Sequence, residues 1–430
     1  MPFEMSSAPR RIAVIGAGIS GMAAAHLLSS AHVVVLYEAE KRLGGHARTL
    51  IAGKRGDQPV DTGFIVFNHV NYPNLTALFE KLGVPTAPSS MSFGASIDGG
   101  AIEYGLADAD TVFAQRRNMV RPAFLRMVRD ILHFNKHALS AVDNPNLTIG
   151  ELLRDLGTGP WVRDHYITPF SGAIWSTPLS GILDFPAQAL VRFFKNHGLM
   201  GYHDQHQWHT VKGGSVEYVR RLHTAMVDEG VDVRLGANIA AVKRVPAGVM
   251  VRCHGGEWEP FDDVIFACHS DQALALLSDA SVNERRALSV IRYQPNEAVL
   301  HADPSVMPKR RKVWSSWVYV EPKGTTRSKI DLTYWMNSLQ PIPMDDPLFV
   351  TLNTNRAIPN HLVHDVNTFY HPVFDVAALH AQDDIRAMNG TQRTWFCGAW
   401  MRNGFHEDGF ASAMDVVERI SIRSQRTIAA

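Results

Sequence analysis

The stretch RRIAVIGAGISGMAAAHLLSSAHVVVLYEAE (Arg10 to Glu40) leaves the fewest options for the fold. Ile12, Val14 and Ile15 read as a buried strand, Gly16, Gly18 and Gly21 as a turn, and the Ala/Leu-rich run after them as a helix. His32 to Glu38 is the next strand. This order makes a βαβ unit of a parallel sheet. In it Gly16 permits the tight turn, Gly18 lets backbone N–H groups approach a pyrophosphate, and Gly21 lets helix and strand pack closely. Glu38 ends the second strand 17 positions after Gly21 (38 − 21), near the ~20 expected of a ribose-binding carboxylate. A carboxylate accepts bonds from a ribose diol and repels a 2′-phosphate, which disfavours NADP and leaves FAD or NAD.

At 430 residues the chain is long enough for two domains, or for one nucleotide-binding domain with insertions. Lys+Arg and Asp+Glu number 42 each, so no global charge draws the protein to nucleic acid. Cys253, Cys268 and Cys397 are far apart and form no CxxC pair. That argues against a disulfide framework or a zinc knuckle and suits a reducing cytosol. No apolar run approaches the ~18 residues of a membrane span. MPFEMSSAPRR lacks the apolar core of a secretory signal and reads as a disordered lead-in.

A second glycine pair, Gly44-Gly45, follows the acid in EAEKRLGGHARTL, and VDTGFIVFN (Val60 to Asn68) comes next. Here the chain resembles the flavin-containing amine oxidase and carotenoid desaturase superfamily, whose members carry a GGRxxT/S element at this point. The resemblance implies FAD and an α/β fold: a Rossmann-like, glutathione-reductase-type FAD-binding domain with an inserted α+β substrate domain. It also implies that Gly44, Gly45 and Arg48 border the phosphates and that Thr62, Gly63 and Phe64 border the isoalloxazine. Two positions depart from the pattern. The family's arginine after the glycine pair is His46 here, and its arginine two residues beyond the acid is Glu40, which leaves Arg42 or Arg48 to supply the charge.

HTVKGGSVEYVRRLHTAMVDEGVDVRLGANIAAVKRV reads as turn, helix, strand, turn, strand. In the superfamily this KGG loop opens the return to the FAD domain, and backbone groups near Ile239 would pair with the adenine. FDDVIFACH (Phe261 to His269) matches the family's apolar strand ending in small residues. TWFCGAWMRNGFHEDGFASAM (Thr394 to Met414) runs from a short strand through a polar turn into a helix opening at Gly409. That order brings a helix N-terminus to a ligand. The resemblance places Gly398 and Ala399 by the phosphates and Gly409, Phe410, Ala411 and Ser412 by the flavin, where a helix dipole favours negative charge. Ala399 stands where the family usually has an acid. The expected FAD-binding domain is therefore 1–74, 206–291 and 389–430, with the substrate domain in 75–205 and 292–388.

Within the insertions, RPAFLRMVRDILHFNKHAL predicts a helix. Pro122 suits the first turn, and Phe124, Met127, Val128, Ile131 and Leu132 fall on one stripe. Arg116, Arg117, Arg121, Arg126, Arg129 and Lys136 make the remainder basic, which reads either as a core-packed helix or as a surface for anionic membrane lipid. Trp314, Trp317 and Trp335 read as core or as the lining of a substrate cavity. His203, His206 and His209 in HDQHQWH read as a polar loop rather than a metal site, because no HExxH or cysteine accompanies them.

Amine oxidases of the superfamily carry a lysine beside the flavin on the strand entering the second substrate segment. That strand looks like PNEAVLHAD and has no lysine. No pattern for a covalent flavin link is evident either, so the FAD is expected to be non-covalent. The GGHxxT, DTGFIVFN and GFHEDGxxSA elements resemble a bacterial group of FAD-binding oxidoreductases encoded beside cyclopropane-fatty-acyl-phospholipid synthases. That resemblance implies dehydrogenation of a fatty acyl chain on phospholipid, methyl-branched chains included, by an enzyme in the cytoplasm or peripheral on the inner face of the membrane. His406 and Glu407 are the nearest candidates for proton handling. The alternatives are amine oxidation, carotenoid-type desaturation, and a FAD-binding partner of a lipid methyltransferase that does not itself turn over.

Overall fold

A computed structural model describes residues 9–144, 146–175, 179–201, 206–324, 330–354 and 356–429. The lead-in 1–8 and His203 lie outside them. Arg11–Ile15 is the central strand of a five-stranded parallel sheet, because Ile12, Ala13 and Val14 are fully buried. A continuous apolar run is what a strand covered on both faces requires. Across the sheet the order is Asp232–Leu235, Val33–Glu38, Arg11–Ile15, Asp263–Phe266, Thr394–Phe396, and every neighbouring pair is parallel. Three distant parts of the chain therefore share one sheet.

One face of that sheet packs on an antiparallel sheet of Ile239–Val245, Gly248–Cys253 and Glu259–Phe261, where Val242, Val249 and Val251 meet Ala13, Val264 and Phe266. On the other face lie the helices Ile19–Ser29 and His406–Ala429, with Met22 and Ala25 in the same core as Ala413, Val416 and Ile420. Ala23, Ala24 and Ala25 keep the first helix slim enough for close packing. The C-terminal helix starts at His406, three residues before the expected Gly409, because Asp408 accepts a hydrogen bond from the Phe405 N–H and closes the first turn early.

A seven-stranded sheet stands beside these layers, in the order Val363–Pro372, Tyr293–His301, Phe349–Leu352, Leu332–Trp335, Trp317–Val320, Phe93–Ile97, Ile102–Gly105. Trp317–Val320 and Phe93–Ile97 run parallel, so strands from before residue 106 and after residue 292 are joined in one sheet. The helix Val376–Met388 packs Ala378, Ala381 and Ile385 against the parallel-sheet core near Phe266 and Phe396. Among the described residues no helix is long and apolar enough to cross a membrane.

The basic segment forms the helix Pro122–His137. Phe124, Met127 and Ile131 are buried as expected, but the fourth core position is Phe134 and Leu132 is exposed. The buried line steps 124, 127, 131, 134, which leaves 132 on the far side of the helix. Trp314 and Trp335 pack on one another and on Arg311, away from Trp317.

Candidate active site

The glycine turn ends the central strand and opens the helix Ile19–Ser29. Gly16 has φ +102°, and a Cβ on Gly21 would lie 1.7 Å from the Gly16 carbonyl oxygen, so both positions require glycine. Gly18 differs: it is extended at φ −70°, caps the helix without a side-chain bond, and a Cβ there meets no protein atom within 4 Å. The Gly44-Gly45 pair lies alongside, with the Gly44 N–H on the Ala17 carbonyl at 2.9 Å and a bridge between Gly18 and Gly44. Glycine backbone without side chains, at a helix N-terminus whose first N–H groups have no side-chain cap, is a cradle for a phosphate.

Glu38 closes one end of the cradle, its carboxylate accepting from the Ala17 N–H at 2.7 Å and the Glu40 N–H at 2.9 Å. The segment leading into Ile239 is strapped to the same place through the Ala237 N–H on the Glu38 carbonyl, 2.8 Å. At the other end the last helix arrives: a Cβ on Gly409 would lie 2.8 Å from Ser20 Oγ, and Ser412 Oγ accepts from the Gly398 N–H at 2.9 Å. Phe410, Ala411 and Ser412 are buried behind it, and Ala399 opens a single turn after Gly398. These parts fit a dinucleotide with adenosine toward Glu38 and Ile239.

The two arginines are committed elsewhere. Arg48 holds Asp365 with two bonds of 2.7 and 3.2 Å. Arg42 reaches Glu40 and the carbonyls of Gly45 and Ala47. Each fastens the loop, and their charge is answered within the protein, so neither is a free phosphate cation. Thr62 is locked to Arg48 through the backbone, and Gly63 leaves room for the His46 carbonyl, 2.0 Å from where a Cβ would be. Beneath them the buried Asp61 accepts from Thr49, from the Ser215 N–H and Oγ, and from Gln340. That one carboxylate, pushed up to about 6 by burial, ties the loop to the helix Val216–Asp228 and to the seven-stranded-sheet region.

Phe64 leads to the end of the site away from Glu38. Its ring stacks on His406 at 3.9 Å between centroids and 9° between planes. His406 Nε2 lies 2.6 Å from the Tyr218 hydroxyl. Burial holds the imidazole down to about 3 and pushes the phenol up, so two neutral groups share this bond. Glu407, the other proposed proton carrier, faces away. Its carboxylate accepts from the Asn74 N–H at 3.0 Å, the Asn74 amide at 2.6 Å and the Leu75 N–H at 3.0 Å, capping the helix Pro73–Leu82.

His46 is the centre of a group the sequence reading did not assemble. Its ring stacks on Phe369 at 5.1 Å and lies 5.5 Å from His371 and 6.1 Å from His269. Burial depresses His46 and His269 to about 4 and His371 to about 3, so all are neutral. The Asn296 amide donates to His371 Nδ1 at 2.8 Å, which leaves the ring proton on Nε2, and Asn353 donates to Asn296 at 2.6 Å. His46 Nε2 is buried without a partner, a cost of ~1–3 kcal/mol unless a ligand atom meets it. The strand ends ACH and YHP carried the only sequence signal for His269 and His371. His206 bonds the Asn196 carbonyl, and His209 packs on His69.

Two cavities flank this end. One of about 500 Å³ has a mixed lining, in which Gln188, Arg192, Asn196, Glu407 and Asp408 alternate with apolar side chains. The other, about 20 Å³, is apolar, lined by Met91, Phe93, Phe170, Leu199, Trp208 and Trp317 with Ser92. Phe193 and His197 line both, and Phe193 stacks on Phe405, the neighbour of His406, at 5.0 Å.

Comparisons with known proteins agree with this fold. The chain shares its fold with the CLA-producing fatty acid isomerase from P. acnes, at 15% identity and a TM-score of 0.69 over 96% of this chain and 99% of that one. Cyclohexylamine oxidase from Brevibacterium oxydans IH-35A matches equally, at 15% identity and 0.69 over 96% and 100%. At such identities the likeness is one of fold. An L-amino-acid oxidase of Bothrops pauloensis is 44% identical over 52 residues, 12% of this chain and 10% of that protein, so the match spans about a tenth of its length. The profile of the flavin-containing amine oxidoreductases matches residues 19–342, most of the chain, and the protein belongs to that family of FAD-dependent oxidoreductases.

Proposed function

We propose that the protein dehydrogenates a fatty acyl chain, methyl-branched chains included. The observation that carries this reading is the apolar lining beside Phe193, which holds neither a carboxylate nor a Lys or Arg; at about 20 Å³ the pocket would have to widen to take an acyl chain. Its one imidazole, His197, is held down to about 4 by burial and is neutral. Each methylene moved from water into such a lining contributes ~0.8 kcal/mol, whereas a polar ammonium group there would lose hydration with nothing to replace it. The larger, mixed cavity on the other side of Phe193 and His197 suits the head of an amphipathic molecule. In the superfamily an amine oxidase carries a lysine on the strand that is Tyr293–His301 here, and this strand has none.

Bound FAD supplies a two-electron acceptor. Gly16, Gly18, Gly44 and Gly45 would hold its pyrophosphate, Glu38 its ribose, and Phe64 and the start of the last helix would border its ring. His406, hydrogen-bonded to Tyr218 and neutral in the folded protein, would be the residue to take up a proton transiently. Phe64, stacked on His406, and Phe405, stacked on Phe193, would limit water at that exchange. That this fold serves a fatty acid isomerase supports an acyl substrate, and that it serves cyclohexylamine oxidase defines the rival.

Anaerobic bleaching of the flavin's visible absorbance tests the reading, with phospholipid extracts, free fatty acids, polyenes and primary amines offered in turn. Bleaching by acyl lipids supports it. Bleaching by amines or polyenes alone replaces it with one of the other oxidase readings, and no bleaching by any of them favours a FAD-binding partner without turnover.

A further inference from the structure

We propose that the outward face of the helix Pro122–His137 docks on the surface of an anionic phospholipid bilayer. Its inward face is fully engaged, with Phe124, Met127, Ile131 and Phe134 buried. Outward, Leu125, Leu132 and Leu139 are 43%, 47% and 42% exposed. Their seven-residue spacing sets Leu125 and Leu132 two turns apart along one line, with Leu139 in the turn that extends the helix. Val120, in the turn before the helix, is 80% exposed. An amphipathic helix on a water-exposed surface presents polar residues outward. Here leucines share that face with cations.

The cations identify the occupant. Residues 116–137 hold six Lys or Arg (116, 117, 121, 126, 129, 136) and one acid, Asp130, in a chain that has 42 charges of each sign in all, and of the six Arg116 is paired with Asp110. Arg126 and Lys136 make no ion pair among the described residues, and Arg129 meets only its neighbour Asp130 at 2.9 Å while remaining 74% exposed. A two-fold contact centred on this helix would bring these cations against their own counterparts with only Asp130, already paired with Arg129, to answer them, because such an interface is self-complementary. An anionic lipid surface answers the charge with phosphates and takes the leucines into the acyl boundary.

The position suits a lipid substrate, and to that extent the inference deepens the acyl-chain reading. Phe134 packs edge-to-face on Phe194 at 6.3 Å, and Phe194 belongs to the helix Ala187–Asn196, whose Phe193 and Arg192 line the cavities. The helix that would meet the bilayer and the helix that would meet the substrate touch.

The test is co-sedimentation of the FAD-loaded protein with phosphatidylglycerol–phosphatidylcholine vesicles and with pure phosphatidylcholine vesicles. We expect binding to the former, weakened by salt. The triple variant Arg126→Gln, Arg129→Gln, Lys136→Gln should lose roughly fivefold per cation, on the order of a hundredfold in all. Leu125→Asn with Leu132→Asn should also release the protein, and both variants should keep wild-type flavin content and melting temperature because these side chains are exposed. Equal binding by wild type and variants, or equal binding to neutral vesicles, overturns the proposal. So does a dimer in light scattering that the leucine variant converts to monomer. Turnover on acyl chains in neutral detergent micelles separates the two ideas: intact turnover without vesicle binding removes the docking surface alone, and vesicle binding without turnover removes the acyl substrate alone.

Discussion

Gly18 offers a test in which the protein and its ligand can be told apart. The residue is extended, and a Cβ placed on it meets no protein atom within 4 Å. Alanine there alters only the helix cap, where it is poorer than glycine by roughly 0.5–1 kcal/mol. With FAD bound, that open space is where the cradle would bring the pyrophosphate, and an added methyl should cost about 1–3 kcal/mol of overpacking. This corresponds to a Kd raised about 5- to 150-fold. Gly21→Ala is the contrast: its Cβ would sit 1.7 Å from the Gly16 carbonyl oxygen, so the fold itself must yield. FAD titration of the apoprotein, followed by flavin fluorescence, gives the affinities, and thermal melting of the same preparations reports the fold. We expect Gly18→Ala to melt near the wild type and to bind FAD weakly, and Gly21→Ala to melt low with or without FAD. A well-folded Gly18→Ala protein with unchanged FAD affinity would refute the placement of the phosphates.

Glu38→Ala removes the acceptor for two N–H groups as well as the ribose partner, and FAD retention should fall by roughly 1–3 kcal/mol; an unchanged Kd by isothermal titration would show that the ribose lies elsewhere. Glu407→Ala leaves three donors on Asn74 and Leu75 without their acceptor and should lower stability by ~1–3 kcal/mol while kcat of the folded enzyme is unchanged; a large fall in kcat at constant melting temperature would return Glu407 to proton handling. The pH dependence of stability follows from His46, His197, His269, His301, His371 and His406, whose folded values lie at about 3 to 4 against an ordinary 6.5. Below pH 6.5 the unfolded chain binds protons the folded one refuses, so stability drops by ~1.4 kcal/mol per pH unit and proton as the pH falls toward 4. Asp61 and Asp408, raised to about 6 by burial, oppose this over the same range. Melting of the apoprotein should show a net loss that His371→Asn makes shallower; a flat profile would mean that the histidines are not buried neutral.

What could be read from the sequence was what is local. The glycine turn, the helix behind it and Glu38 lie within 23 consecutive residues (16 to 38), and their spacing alone specifies how they meet. Arg48 shows where such reading stops. It follows a phosphate-binding motif, yet its charge is taken by Asp365, 317 positions away, and no local pattern announces that pairing. Glu407 shows the same limit from the other side, because the helix it caps starts more than 300 residues earlier. Two departures from the family pattern look unrelated along the chain: the missing arginine at His46, and the missing lysine on the strand Tyr293–His301. In space they converge. Asn296 on that strand donates to His371 at 2.8 Å, and His371 lies 5.5 Å from His46. Around that contact lies one buried group of neutral imidazoles and amides. Removing a cation from a low-dielectric site weakens its hold on any anionic or water-bearing partner. Under the acyl-chain reading, an apolar C–H bond would lose nothing on entering such an environment, and both departures would favour that substrate.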